Sequence, residues 1–164
     1  MMQKEMKGDL HVKKTGAWLL CAIWMSVIFI MSGTPGDVSG RQSGLIVDLF
    51  LAAIRVIFGA NAASAIPVDM IGLLVRKAAH MAEYAVLFLL YKRALSLSGA
   101  KYPGVAALLM SACYAATDEW HQSFVSDRGP SVVDVGIDTL GASMAWCIQG
   151  IIKRIRRGIK KERW

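Results

Sequence analysis

Long apolar runs alternate with short polar segments along the chain. Four of these runs approach the roughly 20 residues that a helix needs to cross a bilayer. They cover residues 16–32, 72–97, 102–122 and 131–152. Pro103, at the start of the third run, suits the first turn of a helix. The pattern therefore predicts an all-α protein with a bundle of four membrane-spanning helices.

A shorter apolar segment, GLIVDLFLAAIRVIFG, lies between the first two runs at about residues 44–60. It is too short to cross a bilayer comfortably, and Asp48 and Arg55 fall on one face of it, seven residues apart. Such a segment favours an interfacial or re-entrant helix over a fifth span. We therefore predict an additional interfacial or re-entrant helix at about residues 44–60.

Composition supports a membrane location. The 164 residues are 55% hydrophobic, yet the formal net charge is +7. The mean hydropathy is +0.44. A soluble domain of this length has too few charged residues to cover so much apolar surface. The length predicts a single domain over residues 1–164, with its basic residues at the margins of the membrane.

The distribution of basic residues predicts the orientation. Four spans place both termini on one side, and fourteen of the 19 Lys and Arg residues then lie on that side. Because positive residues gather on the cytoplasmic side, we expect cytoplasmic termini and a multi-pass protein of the plasma membrane. The basic tail, residues 153–164, acts as a topology determinant that also attracts anionic lipid. No nucleic-acid partner is needed to explain it.

Ionisable groups gather at the opposite, outer ends of the last three spans. Helical spacing puts each set on one face: i, i+4, i+7 in the second span, i, i+3, i+4 in the third and i, i+4 in the fourth. The sets are Arg76, His80 and Glu83; Asp118, His121 and Gln122; and Asp134 and Asp138. Lys77, Glu119 and Arg128 lie beside them. We predict that these residues converge at the level of the outer leaflet.

Two interpretations of this convergence are open. Ionisable groups inside a membrane pair with one another or line a functional cavity. The set could therefore be a structural network that fixes the bundle, or a working site. Glu119 could be a solvated acid, and Asp134 could stabilise a helix N-terminus.

Two segments resemble the VanZ-like membrane proteins. HMAEYAVLFLLYKRAL is similar to that family's K-x-x-H-x-x-E-Y-x-x-L segment, with matches at Lys77, His80, Glu83 and Tyr84. TDEWHQSFVSDRGPSVVDVGIDTLGA resembles its D-E-x-H-Q-x-F-x-x-x-R…D-x-x-x-D-x-x-G segment. The matching positions there are Asp118, Glu119, His121, Gln122, Phe124, Arg128, Asp134, Asp138 and Gly141. The resemblance covers nearly the whole chain and implies one VanZ-like domain in a bacterial membrane. The founding member is linked to low-level teicoplanin resistance, and the resemblance implies no particular reaction.

Two functions fit these residues best. The first is the binding or remodelling of a cell-envelope lipid, a lipid-linked precursor or a lipoglycopeptide. Its ligand-binding residues would be Arg76, Lys77, Tyr84, Glu119, Gln122, Arg128, Asp134 and Asp138. The alternative is an intramembrane hydrolase or transferase that acts on a lipid headgroup, with His80, Glu83, Asp118 and His121 as catalytic groups. The H-x-x-E and D-x-x-H spacings are compatible with a divalent metal, although the sequence requires no cofactor. A proton-coupled transporter ranks last, because four spans without an inverted repeat make a small conduit.

Overall fold

The part of the chain that the structure describes consists of helices joined by short loops. The structure is a computed structural model, and it describes residues 2–64, 66–126 and 128–161. Five long helices and one short helix occur there: α1 (Met2–Ser32), α2 (Gly36–Phe58), α3 (Ala60–Ser64), α4 (Val68–Leu97), α5 (Pro103–Gln122) and α6 (Val132–Lys161). These residues contain no strand, so the all-α prediction is confirmed.

Prolines set several helix boundaries. Pro35 and Pro67 occupy the positions directly before α2 and α4, and Pro103 stands in the first turn of α5 as predicted. Proline lacks an amide hydrogen, and the first turn of a helix does not need one. The helix expected at about 44–60 is α2, which starts earlier, directly after Pro35, and ends before Gly59. Gly59 has a φ of 89°, a left-handed conformation that favours glycine.

The first and last helices extend beyond their apolar runs. α1 begins fourteen residues before the predicted span, and α6 continues nine residues beyond it. Both extensions are polar but contain no proline, so the backbone has no reason to leave the helix. An ion pair of 2.6 Å between Lys13 and Asp9, four residues apart, supports the first extension. The predicted basic tail is helical to Lys161, and residues 162–164 lie outside the described residues.

Four long helices alternate in direction. In the middle of α1, Trp18 Nε1 donates to Ser98 Oγ, just after α4 ends, at 3.1 Å. Further along α1, Trp24 Nε1 donates to the backbone oxygen of Glu83, earlier in α4, at 2.9 Å. Lys77 pairs with Asp134 where α4 and α6 begin, and Lys92 donates to Gln149 further along both helices. Helix α1 is therefore antiparallel to α4, and α4 is parallel to α6.

Helix α5 runs alongside α1. Ser32, the last residue of α1, bonds Asp118 near the end of α5. The start of α1 and the end of α6 therefore lie at one end of the bundle, which we call the basic end. The polar end is the opposite one, where α1 and α5 finish and α4 and α6 start.

Helix α4 forms the centre of the bundle and packs against α1, α2, α5 and α6. Tyr84, Leu87, Phe88, Tyr91 and Ala94 are buried along it. Its neighbours meet it with small side chains, namely Ala107 and Ala115 of α5 and Ala142 and Ala145 of α6. Small residues let helix backbones approach closely, which is the usual packing of membrane helices.

The outward faces of the bundle are apolar. On α6, Leu140, Ile148 and Ile151 are 51–58% exposed, and Leu19, Ile23 and Ile30 of α1 are 58–71% exposed. Two segments, Gly8–Ser32 and Val132–Ile159, are long and apolar enough to cross a membrane by length and composition. Four such segments were predicted. Helices α4 and α5 are not among the two segments found, because many of the ionisable residues of the polar end lie on them and lower their mean hydropathy.

Candidate functional site at the polar end

Asp118 is the centre of a hydrogen-bond chain at the polar end. Its side chain is buried, with a relative exposure of 2% for the residue. Ser32 Oγ donates to Asp118 Oδ1 at 2.5 Å, and Gln122 Nε2 donates to Asp118 Oδ2 at 3.1 Å. Arg128 Nη1 in turn donates to Gln122 Oε1 at 3.1 Å. This chain ties α1, α5 and the loop before α6 together.

A second group surrounds the imidazole of His80. His80 Nδ1 lies 3.8 Å from Glu83 Oε2 and 3.9 Å from Asp138 Oδ1, which are close approaches but not hydrogen bonds. Asp138 is 1% exposed. Within the described residues, neither His80 Nδ1 nor either Asp138 oxygen has a hydrogen-bond partner. Asp118 also belongs here, because ligand atoms of His80, Asp118 and Asp138 lie within 4.8 Å of one another.

Two acids of the predicted set each have one identified partner. Asp134, in the first turn of α6, pairs with Lys77, and both side chains remain about a quarter exposed. Glu119 is buried and accepts the backbone N–H of Ser131 at 2.8 Å, just before α6 begins. Glu119 thus anchors the loop that leads into α6 and is not a solvated acid.

His121 lies in different surroundings from His80. Its ring stacks on Phe29 of α1, with the ring centroids 4.0 Å apart. Both rings line a groove of about 500 Å³, together with Tyr114, Thr117, Asp118, Trp120 and Phe124. The two imidazoles that the sequence grouped together therefore lie in separate places, and Asp118 is adjacent to both.

Two arginines at the polar end, Arg76 and Arg128, are near enough for the charge of one to act on the other. Burial, and then the neighbouring charge of Arg76, lower the pKa of the Arg128 guanidinium. The Nε atoms of both side chains are buried and lack a hydrogen-bond partner among the described residues. Tyr84 lies deeper, fully buried in the core, and its hydroxyl also lacks a partner there. Both arginines therefore have a buried donor that no other described residue uses, within a cluster that also contains the carboxyl groups of Asp118, Glu119 and Glu83.

Sequence reasoning missed residues that α1 contributes to the site. Ser32 supplies the shortest hydrogen bond to Asp118, and Phe29 supports His121. Both were counted only as part of an apolar run. The available signal was the position of Ser32 at the end of that run, at the level of the polar end of the other spans.

The fold and the site define a class of protein: an all-helical bundle with two helices apolar enough to cross a membrane and a buried ionisable cluster at one end. A scan of protein families matches residues 17–153 to the VanZ/LLP1 family, and the chain belongs to that family. Membership supports a VanZ-like role in resistance. Comparison with curated proteins and with solved structures finds no match.

Proposed function

We propose that α1, α4, α5 and α6 each cross the plasma membrane, with the polar end in the outer leaflet and both termini in the cytoplasm. The alternating helix directions, the apolar outward faces and the excess of basic residues at the basic end support this topology. Helices α4 and α5 would cross because their polar residues face the bundle interior, where they are shielded from lipid.

Cysteine labelling tests this topology. In a variant without the three native cysteines, Ser126→Cys places a thiol at the polar end and Lys101→Cys places one at the basic end; both positions are exposed. In intact cells we expect a membrane-impermeant maleimide to label Ser126→Cys and to label Lys101→Cys only after permeabilisation. Labelling with the opposite sidedness would contradict the orientation, and labelling of both in intact cells would contradict the crossing of α5, the helix between the two positions.

We further propose that the polar end binds the anionic headgroup of a cell-envelope lipid or lipid-linked precursor. The observation that carries this proposal is that Arg76 and Arg128 each have a buried Nε donor that lacks a partner among the described residues. Guanidinium groups bind phosphate and carboxylate with two parallel hydrogen bonds. Lys77 is the third cation expected at the headgroup. Because it pairs with Asp134, it contributes less to headgroup binding than the two arginines.

The groove beside this site suits the apolar part of such a ligand. Phe29, Tyr114, Trp120 and Phe124 give it an aromatic lining next to Asp118 and His121. Trp120 and Phe124 are 68% and 72% exposed, so the groove faces the surroundings of the bundle. A lipid chain or the acyl tail of a lipoglycopeptide would lie there while its polar group reaches the arginines.

Binding to defined lipids tests the headgroup proposal. We expect the purified protein to bind short-chain phosphatidylglycerol more tightly than short-chain phosphatidylcholine in isothermal titration calorimetry. Arg76→Ala and Arg128→Ala should each lower the phosphatidylglycerol affinity by about tenfold or more, because a charge-assisted hydrogen bond contributes about 1.5–3 kcal/mol. Teicoplanin added as a competitor distinguishes a lipoglycopeptide ligand from a lipid.

Arg55→Ala is the matched control, because Arg55 is an exposed arginine of α2 that is not part of the polar cluster. Its affinity should equal that of the wild type. Equal affinity of the wild type and both polar-end variants for the two lipids would overturn the headgroup proposal.

A second candidate function is the intramembrane hydrolase or transferase. The observation that favours it is the His80 imidazole, which lies between the Glu83 and Asp138 carboxylates. An imidazole held between acids can act as a general base. Mass spectrometry of the lipids after incubation with the protein should then detect a cleaved or exchanged headgroup, and His80→Gln should abolish it. Intact lipids after incubation with the wild type would remove this candidate.

A further inference from the structure

Three helices of the bundle bring one metal-type ligand each to a common point. His80 comes from α4, Asp118 from α5 and Asp138 from α6. One ligand atom of each lies within 4.8 Å of the other two. Ligands that share a bound ion at bonds of about 2.1 Å lie about 3.4 Å apart in tetrahedral geometry. Small side-chain rotations would bring these three atoms to that separation.

Asp138 provides an independent indication that something is bound. Its carboxylate is 1% exposed, and neither oxygen has a hydrogen-bond partner within the described residues. A buried carboxylate without a partner is strongly unfavourable. Among the described residues, no lysine or arginine pairs with Asp138: Lys77 pairs with Asp134, and Nη1 of Arg128 donates to Gln122. The imidazole Nδ1 that faces Asp138 also lacks a hydrogen-bond partner.

The surroundings are built to orient the ligands. Ser32 and Gln122 each donate to one oxygen of Asp118, which fixes the plane of that carboxylate and leaves lone pairs for an ion. Glu83 approaches the same nitrogen of His80 at 3.8 Å and is placed to supply a fourth ligand atom. Hydrogen bonds of this outer kind are typical of metal sites in proteins.

We propose that His80, Asp118 and Asp138 bind one divalent transition-metal ion, with Zn²⁺ and Mn²⁺ as the ions that a mixed imidazole and carboxylate set favours. The ion neutralises the buried Asp138 carboxylate and gives each unused ligand atom a partner. It also joins α4, α5 and α6 at the polar end. The competing occupant is a proton held between Asp138 and His80, which would leave the site without affinity for metal.

Metal analysis of the full-length protein tests the proposal. Protein purified without chelators should contain about one equivalent of transition metal by inductively coupled plasma mass spectrometry. After removal of the metal with EDTA, equilibrium dialysis should restore one equivalent of Zn²⁺ or Mn²⁺. X-ray absorption should then show only nitrogen and oxygen ligands, at about 2.0–2.2 Å for zinc. His80→Ala and Asp138→Asn should each lose stoichiometric binding.

The controls use the same residue types at the same end of the bundle. His121→Ala removes the imidazole that stacks on Phe29, and Asp134→Asn removes the acid paired with Lys77. Both should retain one equivalent. Ser32→Ala removes only a donor to Asp118 and should weaken the metal affinity by about tenfold, the lower range for an outer-shell group. If His80→Ala and Asp138→Asn do not fold, the metal affinity of Ser32→Ala still tests the proposal.

Absence of metal from the wild type, together with no uptake in dialysis, would overturn the proposal in favour of the shared proton. Retention of metal by both His80→Ala and Asp138→Asn would overturn the assignment of ligands. Neither result bears on the headgroup proposal, which depends on Arg76 and Arg128 and is tested with lipids. The two proposals can therefore fail separately.

Discussion

Gly141→Ala is expected to destabilise the protein by about 1–3 kcal/mol or more, the usual cost of an overpacked core. A Cβ at this position of α6 would lie 2.2 Å from the carbonyl oxygen of Met81, and 2.7 and 2.8 Å from its Cα and carbonyl carbon. These atoms all belong to the backbone of α4, so no side-chain rotation relieves the clash. The two helices must separate by more than an ångström instead.

The displacement should reach the site as well. Asp138 precedes Gly141 by less than one helical turn, and His80 directly precedes Met81. Separation of the helices at this crossing therefore increases the distance between Asp138 and His80. We expect weaker metal affinity in Gly141→Ala although no ligand has changed.

Gly136→Ala is the matched control on the same helix. Nothing lies within 4 Å of a Cβ built there, so the alanine should be neutral or should stabilise α6 by up to about 1 kcal/mol through its helix propensity. Denaturant titration in mild detergent, followed by circular dichroism, measures both variants. If the two variants have equal stability, the close crossing of α4 and α6 is wrong.

Much of this fold could be predicted from apolar runs. The runs gave the correct class and the approximate positions of α1, α4, α5 and α6, because burial in a bundle or in lipid demands long apolar segments. They did not give the helix ends. Residues 2–15 of α1 are polar and still helical, since a helix needs an unbroken backbone and not an apolar face. At α2 a proline set the start, eight residues before the apolar segment.

The sequence predicted which residues form the site, but it did not predict which of them contact one another. Helical spacing places Asp118 and Gln122 on one face, and both are buried. Spacing within one helix cannot tell which neighbouring helix that face meets. The hydroxyl of Ser32, the backbone partner of Glu119 and the separation of His80 from His121 all depend on how helices cross. Those distances arise from packing, such as the contact of Gly141 with α4.

Asp118 links the two parts of the polar end. Its oxygens accept from Ser32 and Gln122, and Gln122 holds Arg128. The same carboxylate is one of the three ligand groups around His80. A change at Asp118 should therefore affect stability, headgroup binding and metal binding together, whereas a change at Arg128 should affect headgroup binding most.

Asp118→Ala is expected to be the most damaging change in the hydrogen-bond chain. It leaves the buried Gln122 amide without an acceptor, at a cost of about 1–3 kcal/mol. It also removes the tie to Ser32, whose hydroxyl keeps the Phe29 backbone oxygen as an acceptor at 3.2 Å. Asp118→Asn should be milder, because the new amide oxygen still accepts from Ser32. Gln122 can then turn its amide over to accept from the new NH₂ group, and its own NH₂ group would face Arg128. The asparagine variant should thus keep its fold but lose headgroup affinity.

Thr117→Ala is the control for both, because Thr117 is exposed and, among the described residues, its hydroxyl bonds only the backbone oxygen of Tyr114. Its stability should remain within about 0.5 kcal/mol of the wild type. A double-mutant cycle of Ser32→Ala with Asp118→Ala, which removes the acceptor, then isolates the bond between α1 and α5. It should show a coupling of about 0.6–1.7 kcal/mol, as interhelical bonds in membranes do. Zero coupling would place the two residues apart, and α1 would then contribute to the bundle only through its apolar face.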